Sequence, residues 1–150
     1  MITAAFQLQF CMRSLVLLAA LLLAAPLLAG CSSSRSFDLA KAQIHHFREL
    51  TAAREFGRLY AEADNELKKN TTEQEFVRFL SAIDRKLGAV QSSEDSGWRV
   101  NMSTSGSSVV LSFKTQFEKG PGLETFTFRV AGDKALLAGY SINSNALIVN

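Results

Sequence analysis

Hydrophobic positions recur every three or four residues through the part of the chain that follows the apolar N-terminal segment, and this spacing predicts amphipathic helices. Three stretches have it: about Asp38–Leu50, Glu55–Lys68 and Thr72–Leu87. The third also has end signals, because Thr72 and Glu75 have the spacing of a capping box and Gly88 follows the last apolar residue. Each helix therefore has one apolar face that needs a surface to cover it.

The second half of the chain changes to an alternation of apolar and polar positions, which is typical of antiparallel strands with one covered face. Turns that contain glycine separate four such strands. The side chains expected on the covered face are Trp98, Val100 and Met102 in the first strand, Val109, Leu111, Phe113 and Phe117 in the second, Phe126, Phe128 and Val130 in the third, and Leu136, Ala138, Tyr140 and Ile142 in the fourth. No carboxylate belongs to this pattern, and Asp84 and Glu124 would point inward only by breaking it. Helices followed by a meander predict a single α+β domain over residues 37–150, with the helices on one face of the sheet.

The N-terminal segment has the layout of a secretory signal, with a cationic start at Arg13, an apolar run of about 14 residues and small residues at its end. The run is shorter than the roughly 20 residues that a membrane-spanning helix needs. Met12 is a more natural initiation point than Met1, because residues 1–11 carry no charge. These features predict a signal peptide over residues 1–30.

The apolar run ends in Leu28-Ala29-Gly30-Cys31, which resembles the bacterial lipobox. This resemblance implies cleavage between Gly30 and Cys31 and attachment of a diacylglyceryl group to the Cys31 sulfur. Several acyl chains give durable membrane anchoring where one chain is marginal. Residues 31–36 then form a flexible tether. The alternatives are a cleaved, soluble secreted protein and an uncleaved membrane anchor.

Charge and cysteine content narrow the class of protein. After residue 30 the chain contains 15 Lys and Arg against 14 Asp and Glu, which excludes the basic excess of a nucleic-acid-binding domain. Cys11 lies in the predicted signal peptide, so the mature protein would have no disulfide and no cysteine metal site, as suits an oxidising cell envelope. Ser32 follows the lipidated position, and this favours the periplasmic face of the outer membrane if the host is Gram-negative.

Four motifs between Glu55 and Asn145 carry a resemblance to known families. They are Lys86-Leu87-Gly88-Ala89-Val90, Phe113-Lys114-Thr115-Gln116-Phe117-Glu118-Lys119, Glu124-Thr125-Phe126-Thr127-Phe128 and Gly139-Tyr140-Ser141-Ile142. In this order and spacing they resemble a bacterial domain-of-unknown-function family, the 4019 type. Helices before a four-stranded meander also resemble the nuclear-transport-factor-2-like (cystatin-like) cone. The resemblance implies a curved, cone-like sheet and brings no catalytic residues.

Metal and catalytic chemistry have little support. His45, His46 and Glu49 form the sole histidine cluster, but a zinc site needs three or four ligands, and the mature chain has no other histidine and no cysteine besides Cys31, the predicted lipidation site. We therefore expect no metal and no cofactor. Without an inward carboxylate or a Gly-x-Ser-x-Gly motif, we expect no catalytic residues and a protein that is not an enzyme.

Two sets of side chains are candidates for binding. Amphipathic aromatic residues on inward faces predict a pocket for a small apolar ligand, unless they pack in the core with each polar tip bonded to the backbone. This set is Tyr60, Trp98 and Tyr140. Basic residues on the opposite face of the sheet predict a docking face, unless they only solvate an exposed sheet. This set is Arg99, Lys114 and Arg129.

These expectations combine into a lipoprotein of the cell envelope with a non-catalytic ligand- or protein-binding domain. Its expected partners are the membrane, through the lipid anchor, and an envelope protein or a small apolar ligand, with the protein itself a monomer or weak oligomer. One alternative is a small cone-pocket hydrolase or isomerase, which a charged side chain deep in the cone would favour. Another is a structural accessory subunit of an envelope complex, in which a partner covers the polar sheet face or the apolar tail Ala146–Val149.

Overall fold

The computed structural model describes residues 27–104 and 106–149, and the side chains of residues 34–104 and 106–148. The chain from Ser36 to Asn150 forms one compact unit. The helices are α1 (Leu27–Ala52), α2 (Phe56–Glu62), α3 (Asn65–Asn70), α4 (Glu73–Leu87) and α5 (Ala146–Val149), and the strands are β1 (Val90–Ser103), β2 (Gly106–Phe117), β3 (Gly120–Ala131) and β4 (Lys134–Asn143). Among the described residues, no helix is both long and apolar enough to cross a membrane.

The four strands form one curved antiparallel sheet in the order β1-β2-β3-β4. Each strand pairs with the next one along the chain, because short turns join them; the β3–β4 turn consists of Gly132 and Asp133. Helices precede the meander, so the predicted α+β fold with a four-stranded antiparallel sheet is confirmed. The likeness to the nuclear-transport-factor-2-like cone stays a prediction.

The end signals of α4 are those that the sequence predicts. The Thr72 hydroxyl accepts a hydrogen bond from the Glu75 N–H, and the Glu75 carboxylate accepts one from the Thr72 N–H at 2.9 Å. These two bonds satisfy N–H groups that the first turn of a helix leaves unpaired. Gly88 ends the helix with φ at 75°, a left-handed conformation that glycine adopts without strain.

The prediction of a single helix over Glu55–Lys68 is wrong, because the helix is interrupted between α2 and α3. Asp64 has extended backbone angles, and its carboxylate accepts a hydrogen bond from the Glu66 N–H at 2.8 Å as the cap of α3. Its own N–H donates to the carbonyl of Leu137 in β4 at 2.9 Å. A capping aspartate and a bond to the sheet edge therefore outweigh the continuous apolar stripe.

The first helix begins earlier than the sequence predicts. It starts at Leu27 instead of Asp38, so residues 31–36, predicted as a flexible tether, are helical in the structure of the full chain. The predicted cleavage and lipidation site, Gly30 and Cys31, lies outside the residues whose side chains are described. Both modifications stay predictions.

The inner face of the sheet is the predicted one in β2 and β3 but changes phase within β4. The predicted inward residues of β2 and β3 are buried, from Val109 to Val130. In β4, Thr127 pairs with Gly139 whereas Phe128 pairs with Leu137, so Ala138 is an extra residue in a bulge. The prediction that Leu136 and Ala138 point inward is therefore wrong. Leu136 is exposed and Ala138 is half-buried, whereas Ala135 and Leu137 are buried.

Strand β1 is longer and more exposed than expected. It starts at Val90 and lies at the edge of the sheet, and none of its residues is fully buried. Trp98 pairs with Leu111, which is buried, yet the Trp98 side chain is 65% exposed and contacts the ring of Phe37 at a centroid distance of 5.2 Å. Trp98 and Met102 are therefore not core residues.

The core predicts a contrast between two phenylalanines. Phe126 is fully buried among the rings of Phe47, Phe113 and Tyr140, and its replacement by alanine should cost about 3–5 kcal/mol of unfolding free energy. Phe79 lies on α4 with 40% of its surface exposed, and Phe79→Ala should cost about 1 kcal/mol. Urea unfolding of the two variants measures both values, and equal losses would contradict this core.

Candidate functional site

An open cleft of about 1190 Å³ lies between α1, α4 and the inner face of the sheet. Its wall is largely apolar because each of these elements turns its hydrophobic face toward the others. The apolar lining includes Ile44 and Phe47 from α1, Phe56 from α2, Leu80 and Ile83 from α4, and Phe113 and Phe117 from β2. The cleft is therefore the space that the helices leave where they cross the curved sheet.

Arg48 is a half-buried cation on the inner stripe of α1. Ile44, Phe47, Arg48 and Thr51 all line the cleft, as residues with helical spacing on one face should. Only 21% of the Arg48 side chain is exposed, and its guanidinium carbon lies 5.5 Å from the centroid of the Phe126 ring. This is cation–π distance, so the aromatic core supports the position of the guanidinium.

The partner of Arg48 is Glu124 of β3, a carboxylate with no exposed surface. Glu124 lies two residues before Phe126, so it continues the inward alternation of β3. The prediction that no strand carries an inward carboxylate is therefore wrong. The alternation of Phe126 and Phe128, continued two residues toward the N-terminus, reaches Glu124. The expectation that the covered face is apolar, however, excludes a charged residue at this position.

The Glu124 carboxylate has a donor at each of its hydrogen-bonding positions. Its Oε1 accepts from Arg48 Nη1 at 2.9 Å and from the Tyr140 hydroxyl at 2.7 Å. Its Oε2 accepts from Arg48 Nη2 and from the Thr115 hydroxyl. An ionised carboxylate offers about four acceptor sites, so Glu124 is saturated. This cluster, Arg48, Thr115, Glu124 and Tyr140, is called the buried clamp below.

Burial raises the pKa of the Tyr140 phenol well above its ordinary range, and the Glu124 carboxylate raises it further. The phenol therefore stays protonated and keeps donating its hydrogen bond to Glu124. The clamp therefore pairs the guanidinium of Arg48, which is always charged, with a carboxylate that accepts four hydrogen bonds.

The rim of the cleft carries paired charges. Lys41 Nζ lies 2.7 Å from Asp95, and Arg54 Nε lies 2.9 Å from Asp84. At the same end of the cleft as Arg54, Lys119 Nζ donates to the carbonyl of Arg85 at 2.7 Å. Taken together, the lining contains five Lys and Arg side chains against three carboxylates, those of Asp84, Glu118 and Glu124.

The three aromatic residues predicted to share a pocket do not come together. Tyr140 lines the cleft as part of the buried clamp. The Tyr60 hydroxyl donates to the carbonyl of Thr71 at 3.0 Å and its ring contacts Phe76, which is the core-packing alternative. Trp98 lies at the exposed edge strand. Arg48, Thr115 and Glu124 are the site residues that the sequence did not predict.

The three basic residues of the predicted docking face share the outer face of the sheet, but they are spread along it. Lys114 pairs with Leu123 in register, and Arg129 pairs with Ser108, so six residues, or about 20 Å, separate their rows. Arg129 is engaged by the start of α3, with its guanidinium 3.5 Å from Asp64 and 3.1 Å from Glu66. Arg99 lies on the edge strand β1.

The two histidines lie beside the carboxylates of Glu49 and Glu62, and Glu49 is near both of them, with His46 Nδ1 at 3.9 Å. His46 Nε2 lies 2.6 Å from Glu62, and this contact, followed by the Arg58 guanidinium, lowers the pKa of the Glu62 carboxyl. His45 Nδ1 lies 3.4 Å from Glu49, and the His45 side chain is 81% exposed at the rim of the cleft. In the part of the chain that the structure describes, no three His, Cys, Asp or Glu side chains are grouped as metal ligands.

The buried clamp predicts non-additive effects of substitution. Arg48→Met alone leaves the Glu124 charge buried without its main partner and should cost about 3–5 kcal/mol of unfolding free energy. The double variant Arg48→Met/Glu124→Met removes both charges with little change of volume and should lose only about 1–3 kcal/mol, because the Tyr140 hydroxyl still loses its acceptor. Urea unfolding completes the cycle, and a double variant as unstable as the sum of the single ones would contradict the coupling.

Comparison with protein families matches residues 45–140 to a family described as protein of unknown function, DUF4019. The matched range contains all four residues of the buried clamp and most of the cleft lining. It agrees with the family that the sequence motifs resemble. Comparison with curated proteins gave no match. Since the match spans more than half of the chain, this protein belongs to the DUF4019 family.

Proposed function

We propose that this domain is a non-catalytic binding module, that the cleft receives a ligand with an apolar body, and that a lipid on Cys31 anchors the protein in the cell envelope. The cleft is the observation that carries the proposal. Ligand sites are typically concave, mostly apolar and about 300–1,000 Å³ in volume, with a few fixed polar groups. The cleft, at about 1190 Å³, is somewhat larger than this range, and it has the mostly apolar walls and the one buried polar cluster that such sites have.

A pre-formed site supports binding because little ordering is needed when the ligand arrives. The floor of the cleft is held by the four hydrogen bonds to Glu124, which join α1 to β2, β3 and β4. Phe113 and Phe126 pack edge to face beside them at 5.8 Å. The floor is therefore fixed by contacts that do not involve a ligand.

The same hydrogen bonds argue for a binding role over catalysis. A buried carboxylate is the feature expected of a cone-pocket enzyme, and Glu124 is one. A general base, however, needs a free acceptor within reach of a substrate proton, and each Glu124 oxygen already accepts two hydrogen bonds.

The lipid anchor rests on the lipobox-like sequence that ends at Cys31 and on the short apolar run before it. Anchoring would confine the domain to a membrane surface and raise its effective concentration toward ligands or proteins there. With Ser32 after the lipidated cysteine, the outer membrane is the proposed location in a Gram-negative host.

The cleft can be tested with a matched pair of substitutions on β1. Ser93 lines the cleft, whereas Ser92 lies on the opposite face of the same strand, and both are exposed. Ser93→Trp should fill part of the cleft and weaken binding of the neutral dye N-phenyl-1-naphthylamine by about tenfold or more, or about 1.4 kcal/mol. Ser92→Trp should leave the affinity unchanged.

Fluorescence titration of both variants and the wild type measures these affinities. Failure of the wild type to bind the dye, or equal affinity in all three proteins, would contradict the proposal that the cleft is a ligand site.

The anchor is tested by Cys31→Ser in the host cell. Without the sulfur no diacylglyceryl group can be attached, so the variant should leave the membrane fraction and the intact mass of the protein should lack the lipid. Membrane association that persists in this variant would contradict lipid anchoring through Cys31.

A further inference from the structure

We infer that the ligand of the cleft is an anionic amphiphile, with an apolar chain along the walls and an acidic head that binds the guanidinium of Arg48. This inference rests on the proposed function, because it names the class of ligand that the cleft takes. It follows from the hydrogen-bonding capacity of the cleft floor and from the charges of the lining.

The floor of the cleft has donors to offer and no free carboxylate. The acceptor sites of Glu124 are filled by protein donors. Arg48 has five N–H donors, and its contacts to Glu124 and Thr115 all come from Nη1 and Nη2. Within the described part of the chain, its Nε–H has no partner. A ligand oxygen can therefore bind Arg48, whereas a ligand ammonium group would meet a carboxylate that is already saturated.

The charges of the lining favour the same sign of ligand. Three of its cations face one carboxylate each: Lys41 with Asp95, Arg54 with Asp84 and Arg48 with Glu124. The other two, Arg85 and Lys119, share the lining with one further carboxylate, that of Glu118, so with Asp95 included the cations exceed the carboxylates by one. A positive excess in a cleft with low-dielectric walls attracts anions and repels cations.

The walls determine the rest of the molecule. Aliphatic and aromatic side chains from α1, α4 and β2 cover them, including Ile44, Ile83 and Phe117. A linear or flat apolar body would bury its surface against these groups, while its head reaches the floor at Arg48. A lipid fragment or a free fatty acid provides this chemistry, and the head group is the part that the cleft recognises.

Three probes with the same ten-carbon chain test the sign of the head group: decanoate, 1-decanol and decyltrimethylammonium. Each is titrated as a monomer against the full-length mature protein in displacement of N-phenyl-1-naphthylamine at pH 8. A charge-assisted hydrogen bond to Arg48 should make decanoate bind about tenfold more tightly than 1-decanol, with the cation weakest. A cation that binds as well as decanoate, or no difference among the three, overturns the inference and leaves the cleft as an apolar site.

The double variant Arg48→Met/Glu124→Met tests whether the guanidinium supplies the preference. It removes one charge of each sign, so the net charge of the lining is unchanged. Decanoate should then bind within about twofold of 1-decanol. If the double variant still prefers decanoate, the head group binds at the rim of the cleft, and the proposed role of Arg48 is overturned.

If the double variant does not fold, Arg48→Lys is the second test, because lysine keeps the charge but lacks the Nε–H and the planar fork. The decanoate preference should fall in this variant too, and an unchanged preference overturns the assignment. If the wild type does not bind the dye at all, the proposed function fails. If it binds the dye but shows no preference for decanoate, only the inference about the ligand fails, so the two failures are distinguishable.

Discussion

The ion pair between Arg48 and Glu124 is the contact that joins the long first helix to the inner face of the sheet. Two buried charges are costly unless each is hydrogen-bonded, and Thr115 and Tyr140 complete the shell of the carboxylate. The partners are 76 residues apart in sequence, so the pair connects the first helix of the domain to its third strand. The cleft exists because this polar contact and the aromatic packing of Phe47 hold the helix there, while the space beside them stays open.

The clamp also determines what the cleft can do. A carboxylate whose oxygens are all occupied is a structural group, and the chemistry left to a ligand is that of the guanidinium and the apolar walls. Binding therefore follows from the arrangement more directly than catalysis does. The outer face of the sheet offers less, because Arg129 is already paired with α3 and Lys114 lies about 20 Å away along the strands. The C-terminal tail also offers only part of its apolar surface to a partner, because Ala146 is buried within the domain, whereas Ile148 is exposed.

Local signals predicted those parts of the fold that local chemistry decides. The capping box of α4 and the inward residues of β2 and β3 are set by spacing along one element, and the structure has them as expected. The break at Asp64 is not predicted by the apolar stripe, because the spacing of hydrophobic residues continues through it. The phase change in β4 depends on a bulge against β3, which a pattern within one strand does not encode. The inward position of Glu124 follows from the alternation of its strand. Its burial, however, depends on the ion pair with Arg48, and no spacing rule connects these two residues.

The most direct test of the account is an NMR titration of the mature protein, carrying Cys31→Ser, with decanoate. The account predicts shifts of the Arg48 Nε–H signal and of the methyl signals of Ile44, Leu80 and Ile83, which line the cleft. The indole signal of Trp98, at the exposed edge strand, should not move. Shifts confined to Trp98 or to the outer face of the sheet, with the cleft methyl signals unchanged, would contradict the claim that the cleft over the buried clamp is the binding site.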